Sequence, residues 1–287
     1  MNREVRGASV SREVRGVVPT EKQILEGTPF TFNIPSCTKY YQLYNPNLNC
    51  YVLGDNMSTI IVRQSHRGLN IMFVMDIISR LLIEGKHSTL PYVYYTDSTV
   101  FKNQRECDVI INDIACLLRC TRESLNICVS NKGDVIGNLS HTVEEDKVDC
   151  SKLSQVIPNL KGLRGLHSNV LFDIVIEKQA SFFWLSEDRF FDSILCIRIT
   201  VKGYPDVNTM MFAKRLGVEL KFPAVGLMDS NPSGFHIFYI YKCGSETMSY
   251  DAAHLTTPHM KWLGLRLWDV GTYKIPEECS INLTTFD

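Results

Sequence analysis

Two acidic residues stand directly after apolar runs of the kind that form buried strands. Glu177 follows Val175-Ile176, and Asp229 follows Gly226-Leu227-Met228. In an open α/β sheet the ligand crevice lies beyond the carboxyl ends of the strands, so both carboxylates would face the same place. Converging oxygen ligands suit Mg²⁺, which retains several waters and works with phosphates. The alternative, that polar residues after strands cap helices, stays open, because Asn231-Pro232 is a good N-cap and first-turn pair.

Two adjacent phenols, Tyr94 and Tyr95, are candidates for a nucleophile. A phenol with a pKa of about 10 reacts poorly at neutral pH and needs a base, a cationic neighbour or a metal-organised site. No local feature singles out either phenol. Taken by itself, the pair is therefore ordinarily an amphipathic aromatic surface.

The carboxy-terminal half alternates apolar strands with helices. Strands are predicted at 170–176, 194–201 and 223–228, and helices at about 179–191, at 207–220 and after Pro232. Strands buried on both faces that alternate with helices predict a Rossmann-like, mainly parallel sheet, although neither GxGxxG nor GxxxxGK is present. Asp206 is predicted to cap the helix that begins at Val207.

The amino-terminal half predicts helices first and a hairpin afterwards. Helices are expected at 68–82 and 107–120, a short third turn capped by Thr121 follows, and strands at 125–129 and 135–139 would form a β-hairpin. This order is typical of a winged helix. Such a module most often binds DNA, but many winged helices only contact another protein. The expected division is an N-terminal extension (1–67), a winged-helix domain (68–140), a linker (141–167) and an α/β domain (168–287).

Composition excludes several classes of protein. The chain of 287 residues carries 30 Lys and Arg against 31 Asp and Glu, a formal net charge of −1, so it is not a strongly basic nucleic-acid binder. Its ten cysteines include no CxxC pair and no zinc-finger spacing. No run of 18 apolar residues occurs, so we expect no membrane-spanning segment.

Six motifs, in order, resemble the A subunit of DNA topoisomerase VI, together with its eukaryotic relatives, the meiotic proteins that cut DNA to start recombination. They are Tyr94-Tyr95-Thr96-Asp97, Ser130-Asn131-Lys132-Gly133 with Gly137-Asn138-Leu139, Val175-Ile176-Glu177-Lys178, Lys202-Gly203-Tyr204-Pro205-Asp206, Asp229-Ser230-Asn231-Pro232-Ser233-Gly234 and Trp262-Leu263-Gly264. The resemblance covers roughly 68–287, and the end of the chain is most similar to a plant meiotic paralogue.

The resemblance implies a fold and a reaction. It implies a CAP-like winged-helix domain followed by a Toprim domain, whose mark is a Glu after the first strand and Asp-x-Asp after a later one. Tyr95 would attack a DNA phosphate and become joined to the 5′ end of the break. Mg²⁺ would be held by Glu177, Asp229 and Asn231, and phosphates would be contacted by Lys132 and Lys202.

The resemblance also implies partners. The family's tyrosine acts at the metal site of a second subunit, so a homodimer, or a heterodimer with a paralogue, is implied. A topoisomerase VI B-like subunit, double-stranded DNA and a nuclear location are implied in the same way.

The chain departs from the family pattern at four places. Pro91-Tyr92 stands where an Arg-Asp or Arg-Glu pair is usual, and Asn231 replaces the second Asp. Ser233 replaces an aromatic residue, and Met210 replaces an Arg. Two alternatives to a DNA-cleaving transesterase therefore stay open. One is a catalytically weakened DNA-binding subunit that pairs with an active paralogue, and the other is a Toprim-type phosphohydrolase that uses water.

Overall fold

The chain forms two compact units in a computed structural model. The structure describes residues 31–36, 42–61, 66–128, 132–160, 162–188, 194–266 and 268–279. The amino-terminal unit comprises Met1–Ser130 with Ser245–Ala253, and the carboxy-terminal unit comprises Asn131–Gly244 with His254–Asp287. Much of the predicted extension, 1–30 included, lies outside the described residues. The domain limits at 68, 140 and 168 stay predictions.

Three helices dominate the amino-terminal unit: α1 (His66–Glu84), α2 (Leu90–Thr96) and α3 (Gln104–Leu117). The predictions of α1 and α3 are confirmed. Their apolar stripes form one core, in which Ile71 and Ile114 are fully buried. The short helix α2 was not predicted, because seven residues are too few to show a helical period.

Short strands and turns complete this unit. Strands β1 (Thr31–Pro35) and β4 (Met57–Ile61) pair antiparallel, as do β2 (Gln42–Asn45) and β3 (Cys50–Leu53), whereas β5 (Ser88–Thr89) and β6 (Ile127–Cys128) pair parallel. A single 3-10 turn lies at Glu123–Leu125, and a longer 3-10 segment, kinked at Met248, lies at Glu246–Asp251. The N-cap residue of the first is Arg122 and not Thr121 as predicted, although the Thr121 hydroxyl oxygen does accept from the Ser124 N–H at 2.9 Å.

The predicted hairpin is wrong. Strand β7 (Asp134–Gly137) pairs antiparallel with β13 (Cys196–Thr200) in the large sheet, and β6 pairs with β5. Residues 129–131 of the predicted turn lie outside the described residues. Strand β7 is buried on both faces, as a strand inside a sheet must be. Gly137, at φ 139°, permits this pairing, because a Cβ there would lie 2.7 Å from the Cys196 carbonyl oxygen.

A six-stranded sheet forms the centre of the carboxy-terminal unit. Its order is β10, β7, β13, β12, β14 and β15. The other four strands of this sheet are β10 (Gln155–Val156), β12 (Phe172–Ile176), β14 (Ala224–Leu227) and β15 (Lys261–Trp262). The last four strands in this order run parallel to one another, and β7 runs antiparallel to both of its neighbours, β10 and β13. The predicted α/β class with a mainly parallel core is confirmed.

Helices connect the parallel strands. They are α4 (Gln179–Glu187), α5 (Val207–Leu220) and α6 (Pro232–Cys243), and the predictions of all three are confirmed within the described residues. Helix α4 covers one face of the sheet, because Phe182 packs with Ile174 and Ile176. Two single-turn helices follow, α7 (Ala252–Leu255) and α8 (Asp269–Thr272). Among the described residues, no helix combines the length and the apolar character needed to cross a membrane.

Residues 141–167, which we predict as a linker, contain regular structure. Strands β8 (Leu139–Val143), β9 (Asp146–Asp149) and β11 (Leu163–Ser168) form an antiparallel sheet in the order β11, β8, β9. Its core side chains are few, among them Leu163 and His141, which are both buried. Strands this short give too few alternations for the pattern to be read from sequence.

Candidate metal centre and nucleophile

Glu177 and Asp229 lie together at the carboxyl end of the parallel sheet. Strands β12 and β14 are neighbours in parallel register, and Glu177 directly follows the first while Asp229 stands two residues after the second. Oε2 of Glu177 accepts a hydrogen bond from the Asp229 backbone N–H at 2.9 Å. The sequence predicted this convergence, because parallel strands end at the same edge.

Asn231 holds the first turn of α6. Its side-chain oxygen Oδ1 accepts from the Gly234 backbone N–H at 2.8 Å, so the predicted N-cap is confirmed. Gly234 is required here, because a Cβ at this position would lie 2.1 Å from the Asp229 carbonyl oxygen. The turn is therefore closed tightly around Asp229. An amide oxygen has two lone pairs, so Asn231 retains one acceptor site beyond the cap.

A lysine is paired with one of the two carboxylates. Nζ of Lys178 lies 2.7 Å from Oδ2 of Asp229. The hydrogen bond and charge of Asp229, with a smaller contribution from the charge of Glu177, raise the pKa of Lys178 above its ordinary value. The ammonium is thus the cation that faces these carboxylates in the described structure. This role was not predicted, because the partner of a lysine at the start of a helix cannot be read from its neighbours.

The other two candidate lysines are arranged differently. Nζ of Lys202 lies 3.2 Å from Oδ2 of Asp134. The next residue in the chain, Gly203, donates its N–H to the Glu177 carbonyl oxygen at 3.1 Å, so the Lys202 loop runs beside the acidic edge. The Lys132 side chain is exposed, and its backbone N–H donates to Oδ2 of Asp206 at 3.2 Å.

We call Glu177, Asp229 and Asn231 the candidate metal centre, and their oxygen donors are of the kind that Mg²⁺ prefers. Mg²⁺ is usually held by one or two carboxylates, with waters and substrate phosphates completing its shell. The described residues contain no group of three or more His, Cys, Asp and Glu side chains suited to a metal ion. Two carboxylates and one amide oxygen are donors that a hydrated Mg²⁺ accepts beside its waters.

A second polar pair lies near this edge and was not predicted. The Tyr204 hydroxyl lies 3.1 Å from Nδ1 of His236, and the two rings meet edge to face. Tyr204 belongs to the loop after β13 and His236 to the second turn of α6. The signal for this pair in the sequence is the position of Tyr204 in the Lys202–Asp206 motif.

The two adjacent phenols differ in environment. Tyr94 is partly buried against the core of the amino-terminal unit and packs on Phe101, whereas Tyr95 is 71% exposed. Their rings meet edge to face at 5.1 Å, so Tyr94 supports Tyr95. Helix α2 creates the difference, because successive residues of a helix point in different directions.

The departures from the family pattern have local explanations. Pro91 occupies the first turn of α2, where a missing N–H is harmless, and the Thr89 hydroxyl oxygen accepts from the Tyr92 N–H at 3.4 Å. Met210 is fully buried in α5, where an arginine would bury a charge. Ser233 is exposed in the first turn of α6.

Comparisons with known proteins identify the class first. Residues 172–287 match the family model for the Toprim domain of the topoisomerase 6 A subunit/Spo11 proteins. Residues 66–127 match the model described as "Type IIB DNA topoisomerase". The α/β unit with its acidic edge is therefore a Toprim domain, and the amino-terminal match is to a type IIB topoisomerase. The chain belongs to the topoisomerase VI A subunit/Spo11 family.

Relatives from both branches of the family are similar to the chain. The DNA topoisomerase 6 A subunit of Arabidopsis thaliana is 38% identical over 97% of this chain and 67% of its own length. The DNA topoisomerase 6 A3 subunit of Oryza sativa subsp. indica is 38% identical over 98% of this chain and 65% of its own length. Meiotic recombination protein SPO11 of Homo sapiens is 40% identical over 76% of this chain and 56% of its own length. The chain thus spans about two thirds or less of the length of these relatives.

Proposed function

We propose that the chain is a type IIB topoisomerase-like DNA transesterase that makes meiotic double-strand breaks. The proposal is carried by one observation: Tyr95 is an exposed phenol on a short, capped helix, in a chain whose Toprim unit brings Glu177 and Asp229 together. Tyr95 would attack a DNA phosphate, form a phosphotyrosyl bond to the 5′ end and release the 3′ hydroxyl. The phosphoester bond is exchanged and not hydrolysed, so the break can be resealed.

Each residue of the site has a part in this proposal. Glu177 and Asp229 would hold Mg²⁺, which supplies charge to polarise the phosphate and stabilise the leaving 3′ oxygen. Asn231 would offer its remaining lone pair and keep the Asp229 turn closed through its helix cap. Lys132 and Lys202 would contact DNA phosphates on either side of the break.

The proposed assembly is a dimer in the nucleus. Two copies, or one copy and a paralogue, would each lend Tyr95 to the metal centre of the other, and a topoisomerase VI B-like subunit would join them. The amino-terminal unit would contact double-stranded DNA as a winged-helix module, a proposal that now rests on its helices, since the hairpin is not formed. Each composite site would cut one strand.

The test is to look for protein attached to DNA ends. The assembled complex is incubated with duplex DNA and Mg²⁺, denatured, and examined for chains covalently joined to 5′ ends. The expected result is a 5′ adduct that disappears in Tyr95→Phe. Tyr94→Phe is the matched control, because it removes an identical hydroxyl from the adjacent, partly buried ring and should retain the adduct.

Two outcomes would contradict the proposal. Adducts that persist in Tyr95→Phe would exclude this tyrosine as nucleophile. Phosphate release without any adduct would favour the Toprim-type phosphohydrolase, in which water replaces the phenol.

A second candidate function is a catalytically weakened subunit that binds DNA and pairs with an active paralogue. The observation that favours it is that Asn231 already uses one lone pair for its helix cap and supplies no charge. This candidate predicts no adduct from this chain alone, and adducts in a complex with the paralogue even when this chain carries Glu177→Gln.

A further inference from the structure

Lys178 forms an ion pair with Asp229, one of the two carboxylates that we propose as Mg²⁺ ligands. Its ammonium lies 2.7 Å from Oδ2 of Asp229, and it follows Glu177 directly in the chain. We propose that Lys178 is a built-in counter-cation, which competes with Mg²⁺ for Asp229 and is released to a DNA phosphate when the metal binds. This inference rests on the proposed function, since it takes Glu177 and Asp229 as the metal ligands.

The arrangement of charge calls for such a cation. The hydrogen bond from the Asp229 N–H to Oε2 of Glu177 keeps two negative residues next to each other. Lys178 neutralises one of these charges when no divalent ion is bound. Repulsion between the two carboxylates would otherwise disfavour this geometry.

The ion pair is weak enough to be displaced. The side chains of Lys178 and Asp229 are 61% and 32% exposed. Exposed pairs of this kind change an equilibrium constant by a factor of only about one to five. A divalent ion that contacts both carboxylates gains more, so it would take Asp229 from the lysine.

Displacement frees a cation at the place where DNA would lie. Lys178 has a flexible four-carbon stem, so its ammonium can turn from Asp229 to a phosphate without any movement of the backbone. Metal binding and phosphate binding would then be linked, and each would favour the other. The edge of the sheet would then offer the Lys178 ammonium to a DNA phosphate only when Mg²⁺ is bound.

Lys202 provides a matched comparison. It also follows a strand of the same sheet and forms an ion pair with a carboxylate, Asp134, at 3.2 Å. Asp134 is not part of the metal centre. Removing the charge of Lys202 therefore changes the local field without freeing a metal ligand.

The first experiment measures Mg²⁺ affinity without DNA. Mg²⁺ is titrated into the full chain by calorimetry for the native protein, Lys178→Gln, Lys178→Arg and Lys202→Gln, with thermal unfolding as a check of folding. Lys178→Gln should lower Kd about three- to tenfold, because both the competing ion pair and its repulsion of the metal are lost. Lys178→Arg, which keeps the charge, and Lys202→Gln should change Kd by about twofold or less.

Either of two results would overturn the proposal. One is an unchanged or raised Kd in Lys178→Gln, including no detectable binding in both the native chain and this variant. The other is an equal decrease in Kd in Lys202→Gln, which would make the effect one of general charge.

The second experiment measures binding of a DNA duplex by fluorescence anisotropy, in EDTA and in Mg²⁺ at constant ionic strength. Lys178→Gln should bind as the native chain does in EDTA and about two- to fivefold more weakly in Mg²⁺. An equal loss in both conditions would mean that Lys178 is already free, and would refute its release by metal.

Neither experiment requires cleavage. A chain that forms no 5′ adduct but shows both Lys178 effects would refute the proposed reaction and retain this inference. The converse result would retain the reaction and refute the competition. If Asp229→Asn leaves Mg²⁺ affinity unchanged, the metal centre itself is wrongly assigned.

Discussion

Asn231 caps helix α6, and we also propose it as a metal ligand. Its Oδ1 atom accepts from the Gly234 N–H, and an aspartate could make the same bond, since Asn and Asp are comparable N-caps. The cap therefore does not require the amide. What the amide changes is charge: the metal centre carries two negative side chains where an aspartate would supply a third.

Restoring that charge should raise metal affinity. In Asn231→Asp the N-cap is kept and a third carboxylate reaches the centre, so we expect Mg²⁺ to bind about tenfold more tightly. Calorimetric titration of the full chain measures this. Ser233→Asp is the matched control, because it adds the same charge to an exposed position in the first turn of α6. An equal gain in both variants would exclude coordination by residue 231.

Asp173 makes stability depend on pH. It is 0% exposed in β12, and both of its carboxylate oxygens lack a hydrogen-bond partner among the described residues. Burial raises its pKa well above the ordinary carboxyl value. A folded-state pKa above the unfolded one means that the folded chain keeps a proton which the unfolded chain releases. Stability is then fully present below the unfolded pKa of about 3.9 and is lost as pH rises toward the folded pKa.

Asp173→Asn should remove this loss. The variant's free energy of unfolding, relative to the native chain, should grow by up to about 1.4 kcal/mol per pH unit until the folded pKa is reached. Urea unfolding from about pH 5 to about pH 8 measures the difference. Asp149→Asn is the control, because hydrogen bonds from Ser151 lower the pKa of that exposed carboxyl, so it is ionised throughout this range and its substitution should shift the free energy of unfolding by a constant amount. A constant difference for Asp173→Asn across this range would refute the assignment.

At the scale of elements, Asp206 ties helix α5 to the segment before β7. Oδ1 accepts from the Thr209 N–H at 2.7 Å, which confirms the predicted N-cap, and Oδ2 accepts from the Lys132 N–H at 3.2 Å. The sequence predicted the first bond, because a cap lies within its own helix. It did not predict the second, which joins residues 74 positions apart.

We therefore expect Asp206→Ala to lower the free energy of unfolding by more than the loss of an ordinary N-cap does. The loss of a cap and of one further hydrogen bond predicts about 2 kcal/mol lower free energy of unfolding, measured by urea denaturation. Asp206→Asn keeps one acceptor oxygen and should lose about half as much or less. If the two substitutions destabilise equally, the negative charge and not the hydrogen bonds would be responsible.

The same distinction between local and distant pairing explains how much of the fold could be predicted. Helices α1, α3 and α5 and the parallel strands β12, β13 and β14 have long apolar patterns, so each was predicted from its own residues, whereas the two residues of β15 were not. Strand β7 was placed in a hairpin because its partner, β13, is distant in the chain and leaves no local signal. At the site, Glu177 and Asp229 followed from strand ends, whereas the bond of Lys178 to Asp229 depends on side-chain geometry.

At the scale of the whole molecule, neutrality limits what one copy can do. The net charge is −1, and residues 61–133 carry nine Lys and Arg against seven Asp and Glu. Affinity for DNA grows with the number of phosphates that are neutralised, so a nearly neutral chain gains little from bulk charge. A dimer that lines DNA from two sides and adds Mg²⁺ would supply what a single copy lacks.

A mixed dimer tests whether two copies share their sites. One copy carries Tyr95→Phe and the other Glu177→Gln. If each tyrosine acts at the metal centre of its partner, one composite site has both defects and the other has none, so the dimer should nick one strand and leave one 5′ adduct. If each copy uses its own metal centre, both sites are defective and no cleavage should occur. The readout is nicked versus intact supercoiled plasmid in the assembled complex.

Identifying which copy is covalently joined to DNA distinguishes the two arrangements directly. With copies of different tag mass, the chain joined to DNA should be the Glu177→Gln copy, since it alone retains the phenol. Dimers in which both copies carry Tyr95→Phe, or both carry Glu177→Gln, should be inactive and exclude leakage. Nicking by the mixed dimer with neither uniform dimer active would require the sites to be shared between copies, because no single copy holds a complete set of residues.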